Sequence, residues 1–399
     1  MTLEDLRVRF EPEPPSILPS HLNGGRWDTS HVQGITVDRA GGFIYYSFTT
    51  LLVKSDFHGR IVGTVGGIGG HLGDLDFNEQ DGRVYASLEY KKAGAFYIAI
   101  FDVNAITEVG MDARSSALVS TVHLDEVVDD FTAILDTGSD APVRHRHGCS
   151  GIDGIGFGPV FGSTDGEHLL TVAYGIFADE SRSDNDDQVL LQYSVRGWRQ
   201  YERPLSESAP HRSGPSAPAA KFFVRTGNTT FGVQNLAFDE STGLWLLGVY
   251  AGTKPGFPNY TLFAVDAATS PRWSSPRAGA SGPVLELTLA AAGLEDPATG
   301  IRGWHCKADV GVKPLGDGLF YLSTDSIVLG FQTSDVQLFR WTGSPSGPFA
   351  PVAATTSLAI RGVEVHVDVD LHRVRSRARH RVAGRTERDH PFTDIRDDL

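Results

Sequence analysis

The sequence predicts an all-β chain folded as a β-propeller of five four-stranded antiparallel blades, closed by pairing its N- and C-terminal strands. Three observations predict it: a recurring segment plan, a period-two apolar alternation inside each segment, and turn residues at regular intervals between them. Five segments share the plan of a polar or glycine lead-in, a short strand, a turn rich in Asp, Gly or Asn, and a second strand. They start at His31 (HVQGITVDRAGGFIYYSF), His71 (HLGDLDFNEQDGRVYASL), His147 (HGCSGIDGIGFGPVFGSTDGEHLLTVAY), Phe231 (FGVQNLAFDESTGLWLLGVY) and His305 (HCKADVGVKPLGDGLFYLS).

A third strand follows each pair: LLVKSDF, FYIAIFDV, QVLLQYSV, YTLFAVDA and VQLFRWTG. Fourth strands are expected at RIVGTVGG, ALVSTVHL, KFFVRTG and PVLELTL, and the N-terminal LRVRF is a closing strand for the last blade. Closure matters because an open propeller leaves two strand edges free to pair with other chains. Helical patterning is weak; LTLAAAGLEDPATG is the one candidate for a short helix. The expected divisions are a lead-in over residues 1–26, the propeller over 27–357, and a polar Arg- and His-rich tail over 358–399, too poor in apolar residues to pack and expected to be disordered. The long gap between the third and fourth segments leaves room for a sixth or seventh degenerate blade.

The formal charge is −14 over 399 residues. That argues against sequence-independent nucleic-acid binding, which needs basic surface to displace counterions. No apolar run reaches membrane-spanning length, and the acidic start is unlike a secretory leader, so a soluble, monomeric, cytoplasmic protein is expected unless a leader has been removed. Two cysteines, Cys149 and Cys306, make no disulfide framework. Neither a P-loop, a dinucleotide-binding glycine loop, HExxH, CxxC nor G-x-S-x-G occurs.

Aligned on their first strands, the five segments bring Gly34, Asp74, Gly154, Asn235 and Asp309 to one ring at a channel mouth, with Asp153, Gln234 and Gln33 one residue earlier. Carboxylates and amides crowded around a narrow axis are costly unless satisfied, and a cation satisfies them. Calcium suits this all-oxygen donor set, so Asp74, Asp153, Asn235 and Asp309 are the expected metal ligands; ordered channel water is the alternative. His31, His71, His147 and His305 stand one step further out. Converging imidazoles suit Mn²⁺, Fe²⁺ or Zn²⁺; beside an oxygen-bound cation they suit acid–base catalysis; singly, each merely caps a strand. Acid–base catalysis is the role expected of all four.

An acidic loop in the third blade, GIFADESRSDNDDQVLLQYS, carries Arg182 among its carboxylates, and a comparable insertion in the fourth, AGTKPGFPNYTLF, carries Lys254 and Tyr260. Long loops on one propeller face shape pockets, so Arg182, Gln234, Lys254 and Tyr260 are expected to bind substrate; a solvated acidic loop is the alternative.

GGHLGDLDFNEQDGRVYASLEY resembles a blade of the calcium-dependent apyrases, five-bladed propellers with an axial calcium. The acid and amide ring with outlying histidines resembles that of paraoxonases and gluconolactonases, six-bladed enzymes that use calcium to hydrolyse lactones and esters. The histidine set with Gln234 is similar to the manganese site of oligogalacturonate lyases, and HVQGITVD and FGVQNLAFD are similar to strand starts of plant-type glutaminyl cyclases. Each likeness covers a blade or two. The Glu and Ser ligands of apyrases are missing, and Asn is scarcer than in paraoxonases. Together they imply the architecture and an axial metal.

The functional expectation is a metal-assisted hydrolase or lyase acting at the channel mouth on a small polar or anionic substrate: an ester or lactone, a phosphoester, or a uronate oligosaccharide. Two alternatives stand beside it: a glycoside hydrolase using two of Asp74, Asp153 and Asp309, and a non-catalytic binding propeller.

Overall fold

A computed structural model describes residues 18–352 except 116, 136–141, 164–165 and 276–281, together with the backbone of Ala354–Ile360 and Val363–Val369. It is a five-bladed β-propeller. Blade 1 holds Val32–Asp38, Phe43–Phe48, Leu51–Asp56 and Ile61–Gly66; blade 2 holds His71–Asn78, Arg83–Tyr90, Ala95–Phe101 and Val119–His123. Blade 3 holds Cys149–Gly158, Leu169–Ile176, Asp187–Tyr193 and Ala220–Arg225; blade 4 holds Thr230–Asp239, Leu244–Tyr250 and Leu262–Asp266. Blade 5 holds Val312–Gly316, Leu319–Val328 and Phe331–Ser344. The first strand of each blade lines the axis.

The ring closes as expected in kind but with a different segment. His21–Trp27 pairs antiparallel with Phe331–Ser344 as the outer strand of blade 5, with His21 opposite Gln337 and Trp27 opposite Gln332. The expected closing segment LRVRF lies outside the described residues.

One further strand assignment changes. PVLELTL does not complete blade 4: Val284–Leu287 crosses to the outer edge of blade 3 and pairs parallel with Ala220–Arg225. Blade 4 is finished instead by a bridge between Leu262 and Trp304, each donating its N–H to the other's carbonyl. The helix expected in LTLAAAGLEDPATG is absent, and the chain there forms short extended pieces. The one α-helix among the described residues is Asp125–Phe131, whose first turn carries Asp125 and Glu126, favourable at the positive end of a helix, and which buries Val127. Beyond blade 5, Ala354–Ile360 and Val363–Val369 pair antiparallel.

The core is divided the way a closed ring requires. Each of five apolar clusters fills the space between two neighbouring blades. Leu72, Leu88 and Tyr97 of blade 2 pack on Tyr45 and Leu52 of blade 1, and Leu22, Val336 and Leu338 of blade 5 pack on Val32 and Tyr46 of blade 1. Burying both faces of every sheet explains the near-continuous apolar runs of the middle strands, such as the fully buried Ala95–Phe101.

Candidate functional site

The inner strands are not regular. Register shifts interrupt blade 1 between Val32 and Gly34, blade 2 between Leu72 and Leu75, and blade 4 between Thr230 and Val233 and again between Val233 and Asn235. Blade 3 shifts between Cys149 and Gly151 and between Ile152 and Ile155. A bulge re-aims the side chains on either side of it. Lead-in residues that look equivalent in sequence therefore point in different directions.

The axis itself is closed by side chains reaching across it. Asp74 of blade 2 accepts hydrogen bonds on Oδ2 from the backbone N–H of Ile155 in blade 3 (3.1 Å) and of Leu236 in blade 4 (2.9 Å). Asn235 of blade 4 donates from Nδ2 to the carbonyl of Gln33 in blade 1 at 2.6 Å. One turn deeper, Asp76 accepts from Thr36 Oγ1 of blade 1 (2.9 Å), the Phe157 N–H of blade 3 (2.8 Å) and Lys313 Nζ of blade 5. Such approach needs bare backbone: a Cβ at Gly34 would lie 2.4 Å from Asp74 Oδ1. The mouth is thus a blind cup with Asp74 and Asn235 in its floor.

Two floor atoms have no partner. Asp153 Oδ1 and Asn235 Oδ1 are buried without a hydrogen bond among the described residues. Native buried polar atoms are nearly always satisfied, so an orphan pair on adjacent inner strands asks for a donor or a cation. Burial, with the nearby Glu89 charge, pushes the Asp153 carboxyl up to about 7, against the pull of His71, Lys91 and the Asp74 N–H. Burial also raises Asp309, with Asp325 adding and Lys307 opposing. It raises Asp74 well above the carboxylate range against three backbone N–H bonds.

Beside Asp153 stands a charged trio. His71 Nδ1 is 3.5 Å and Lys91 Nζ 3.3 Å from Glu89 Oε2, while Glu89 Oε1 accepts the Ile152 N–H at 2.7 Å. Gly151 makes room for that carboxylate: at φ 131° its backbone passes where any Cβ would sit 1.8 Å from Oε1. Burial disfavours charge on each group, yet mutual attraction prevails. His71 is held above its ordinary value by Glu89 and Asp153, and Glu89 below its own by Lys91, His71 and the Ile152 N–H. The His71 side chain stays 34% exposed. A raised carboxyl next to a lowered one is the arrangement that separates acid from base at one pH.

The other expected residues are placed elsewhere. The four histidines do not converge. His31 is exposed at the rim, and its backbone N–H donates to Thr49 Oγ1. His147 is buried edge-on against Phe223 at 4.9 Å, and burial lowers it to about 4. His305 is exposed and packs on Tyr260 at 5.0 Å. Tyr260 is itself buried against Phe263 as blade core.

Arg182 is committed to its own loop, bidentate to Asp184 and donating to the carbonyls of Arg144 and His145. Lys254 is held by Asp186, Asn185 and the Arg182 carbonyl, so the two insertions neutralise each other. Gln234 remains at the mouth and donates to the Phe231 carbonyl at 3.0 Å. Among the described residues no three His, Cys, Asp or Glu side chains group as a metal site. Burial raises the Cys149 thiol, and Cys306 to about 11, against a thiolate nucleophile.

Sequence reasoning missed Glu89, Lys91 and Tyr250. Glu89 and Tyr250 occupy the ends of second strands, and Asp309, Asp153 and Asp325 all raise Tyr250 further after burial does so. The available signal was a lone Glu followed by two lysines at the end of the otherwise apolar RVYASLEY. A separate hollow of about 330 Å³, bordered by His21, Asn23, Phe57 and His58, lies at the outer edge between blades 5 and 1, away from the cup.

No protein-family model matches the chain, and no curated protein matches it. Among solved structures it is similar to the Dos1 propeller, at 9% identity over 77% of this chain and 78% of that one, with a TM-score of 0.28. A functionally unknown protein from Desulfotomaculum acetoxidans DSM 771 gives 11% identity over 80% and 68%, with a TM-score of 0.32. A protein of unknown function from Bacteroides caccae gives 11% over 65% and 86%, with a TM-score of 0.25.

Proposed function

We propose that the protein is a hydrolase or lyase that cleaves a small polar or anionic substrate in the cup at the propeller mouth, with a divalent cation, Ca²⁺ by preference, in the floor. The observation that carries this reading is the pair of orphaned buried oxygens, Asp153 Oδ1 and Asn235 Oδ1, next to the His71–Glu89 pair. Asp153, Asn235 and Asp309 would hold the ion, with amide, carbonyl or water oxygens completing its shell; hard oxygen donors select calcium over softer metals. Asp74 is not a ligand in this reading, because its Oδ2 already accepts two N–H bonds. Bound there, the cation would polarise a substrate oxygen as a Lewis acid.

The chain's own residues do the proton work. His71, kept charged by the Glu89 carboxylate 3.5 Å from its Nδ1, donates to the leaving group from Nε2. Lys91 balances the Glu89 charge.

The test is metal analysis of the purified protein, with turnover of lactones, phosphoesters and uronate oligosaccharides measured before and after EDTA and after calcium is returned. The reading expects a bound divalent ion and calcium-restored turnover that Asp153→Asn and His71→Gln both abolish. No bound ion, with turnover indifferent to EDTA and to Asp153→Asn, would overturn it.

One observation favours a second reading, a non-catalytic binding propeller. Ile327, Leu329 and Phe331 are exposed together at the tip of the blade 5 hairpin, at 72%, 86% and 44%. Exposed apolar side chains clustered on one loop mark contact surfaces.

A further inference from the structure

We propose that residues 205–214 are an acid-released strap that regulates the cup; this rests on the cleavage site placed at the mouth above. The neutral rings of His123 and His211 hold the strap on blade 2, and protonating them frees it. The segment belongs to an indirect connection. Between the third strand of blade 3, Asp187–Tyr193, and the fourth, Ala220–Arg225, the chain leaves its own blade and crosses to the outer edge of blade 2. There Arg203 and Pro204 pair antiparallel with Thr121 and Ser120, and Leu205 is buried in the core shared by blades 1 and 2. Among the described residues, 205–214 form no strand, so their attachment rests on individual bonds rather than on a ladder.

Both rings accept hydrogen bonds from groups that can only donate. Arg212 Nη1 donates to His123 Nε2 at 2.8 Å, and the Ser213 backbone N–H donates to His211 Nδ1 at 3.1 Å. Neither a guanidinium nor a peptide N–H has a lone pair to offer, so each ring nitrogen must supply one and each histidine must be neutral. The other nitrogen of His211 faces Thr121 Oγ1 at 2.8 Å, and the His211 carbonyl accepts from Tyr97 OH at 2.7 Å. The His123 N–H donates to the Ser213 carbonyl at 2.9 Å, and a Cβ on Gly214 would lie 1.8 Å from the His123 carbonyl. The strap therefore lies directly on the end of Val119–His123.

A proton on either ring turns an acceptor into a donor aimed at another donor. His123 is buried, with Arg212 at one nitrogen and Asp125 Oδ1 2.8 Å from the other; burial and Arg212 lower it, against the pull of Asp125. His211 is lowered to about 4 by burial, by His123 and by Arg203. Tyr97 packs on both rings, 5.4 Å from His123 and 4.9 Å from His211. The strapped state thus rejects protons that the released histidines take up. Its stability from these groups is full above the ordinary 6.5 and is lost as pH falls toward the strapped values.

The strap grips blade 2 on both sides of the His71–Glu89–Lys91 trio. Gly69, two residues before His71, donates its N–H to Glu207 Oε1 at 2.5 Å, and Tyr90 OH, between Glu89 and Lys91 in the chain, donates to the same oxygen at 3.3 Å. Arg212 donates to the carbonyls of Gly94 and Ala93, just past Lys91, at 2.7 and 3.3 Å. The segments that carry His71 and Lys91 are therefore tied to one strap, and releasing it loosens both.

The experiment is hydrogen–deuterium exchange read by mass spectrometry at about pH 7.5 and about pH 5, corrected for the intrinsic rate at each pH. In wild type, exchange of residues 205–214 is expected to speed up roughly tenfold or more at the lower pH, the size His211 alone supplies once its partial exposure is allowed for, while blades 3 and 4 stay protected. His211→Asn keeps an acceptor for Ser213 but does not titrate, and should shrink that rise by about threefold or more. Arg212→Ala should open the strap at the higher pH already, and exchange in residues 69–72 and 89–95 should rise with it.

The proposal is overturned if the wild-type strap exchanges equally at both pH values, if acid speeds exchange evenly in every blade, or if His211→Asn keeps the wild-type rise. It is also overturned if Arg212→Ala leaves the strap, or the segments around the trio, as protected as in wild type. No turnover enters the measurement. Failure of the cleavage reading would leave the strap's exchange as described, and failure of the strap would leave Asp153-dependent turnover intact, so the two are separable.

Discussion

Replacing Asp153 with Asn isolates the group on which the floor of the cup depends. The wild-type carboxyl sits at about 7 in the folded protein against an ordinary 3.8. A folded value above the unfolded one means that the folded state holds the proton more tightly. Stability from this group is therefore fully present below about pH 4 and drains away as pH rises toward 7, after which the curve is flat. That difference amounts to about 4 kcal/mol. The side chain is 8% exposed, so solvent screening takes little from it.

Asn has nearly the same shape and keeps an oxygen for the Asp74 N–H, but it carries no titrating proton. Asp309, raised without help from Asp153, tilts both curves alike and cancels in the difference. Urea unfolding of both proteins in EDTA from pH 4 to 8 is the assay. The stability of Asp153→Asn relative to wild type should climb by roughly 4 kcal/mol across that range, and the variant should be the more stable protein at pH 8. Calcium should reverse the order at pH 8, because an ion against the ionised carboxylate stabilises only wild type. A difference that stays constant with pH would refute the burial argument, and a calcium response equal in both proteins would refute Asp153 as a ligand.

Other expectations follow from the same geometry. Asp74→Ala strands two buried backbone N–H groups and should cost about 2–5 kcal/mol in urea unfolding, whereas Asp74→Asn, which keeps an acceptor, should cost less; equal losses would deny the cross-axis brace. Glu89→Gln should lower the His71 pKa seen by NMR titration, since the carboxylate is the main group holding it up, and should shift the corresponding limb of any pH–rate profile to lower pH; an unmoved titration would break the pair. Arg182→Ala should destabilise by about 1–3 kcal/mol with KM unchanged, since it ties Asp184 to two carbonyls, and a selective rise in KM would restore it as a substrate group. Deleting His21–Trp27 should abolish cooperative unfolding, because blade 5 loses its outer strand and exposes an edge; a sharp, wild-type-like transition would show closure elsewhere.

The architecture was legible because it is written locally and five times over. Each blade repeats apolar alternation and turn chemistry, and His71–Asn78 with Arg83–Tyr90 forms the hairpin its letters predict. Of the expected ring, Asp74 and Asn235 both reach across the axis, but to backbone groups: Asp74 to blades 3 and 4, Asn235 to blade 1. The direction of each side chain was not legible, because a bulge is one extra residue with no fixed letter code, and the inner strands of blades 1 to 4 all carry one. That is why four similar histidines end in four environments. Partner competition was equally hidden. Arg182 and Lys254 read as free cations, yet carboxylates two residues away or on the facing insertion claim them. Val284–Leu287 misled for a third reason: its letters specify a strand but not which sheet edge receives it, and the parallel edge of blade 3 does.

The axis divides its acids between two jobs, and the division explains how one narrow channel can be both rigid and reactive. Asp76 and Asp74 have their oxygens spent on donors from neighbouring and opposite blades, so they fix the distances between inner strands as spokes do. Asp153 and Asn235 sit just above on those same fixed strands, with an oxygen each left over. Catalytic and binding groups work best when their own supports are already satisfied, because ligand binding then spends nothing on ordering them. The consequence is a reversal of the usual correlation between damage and loss of function. Changes at Asp74 or Asp76 should unfold the protein before they impair its site, while changes at Asp153 should silence the site in a protein that has become more stable. Titrating ligand binding against stability across these three positions would show the reversal directly, and parallel losses at all three would mean that the axis performs a single structural task.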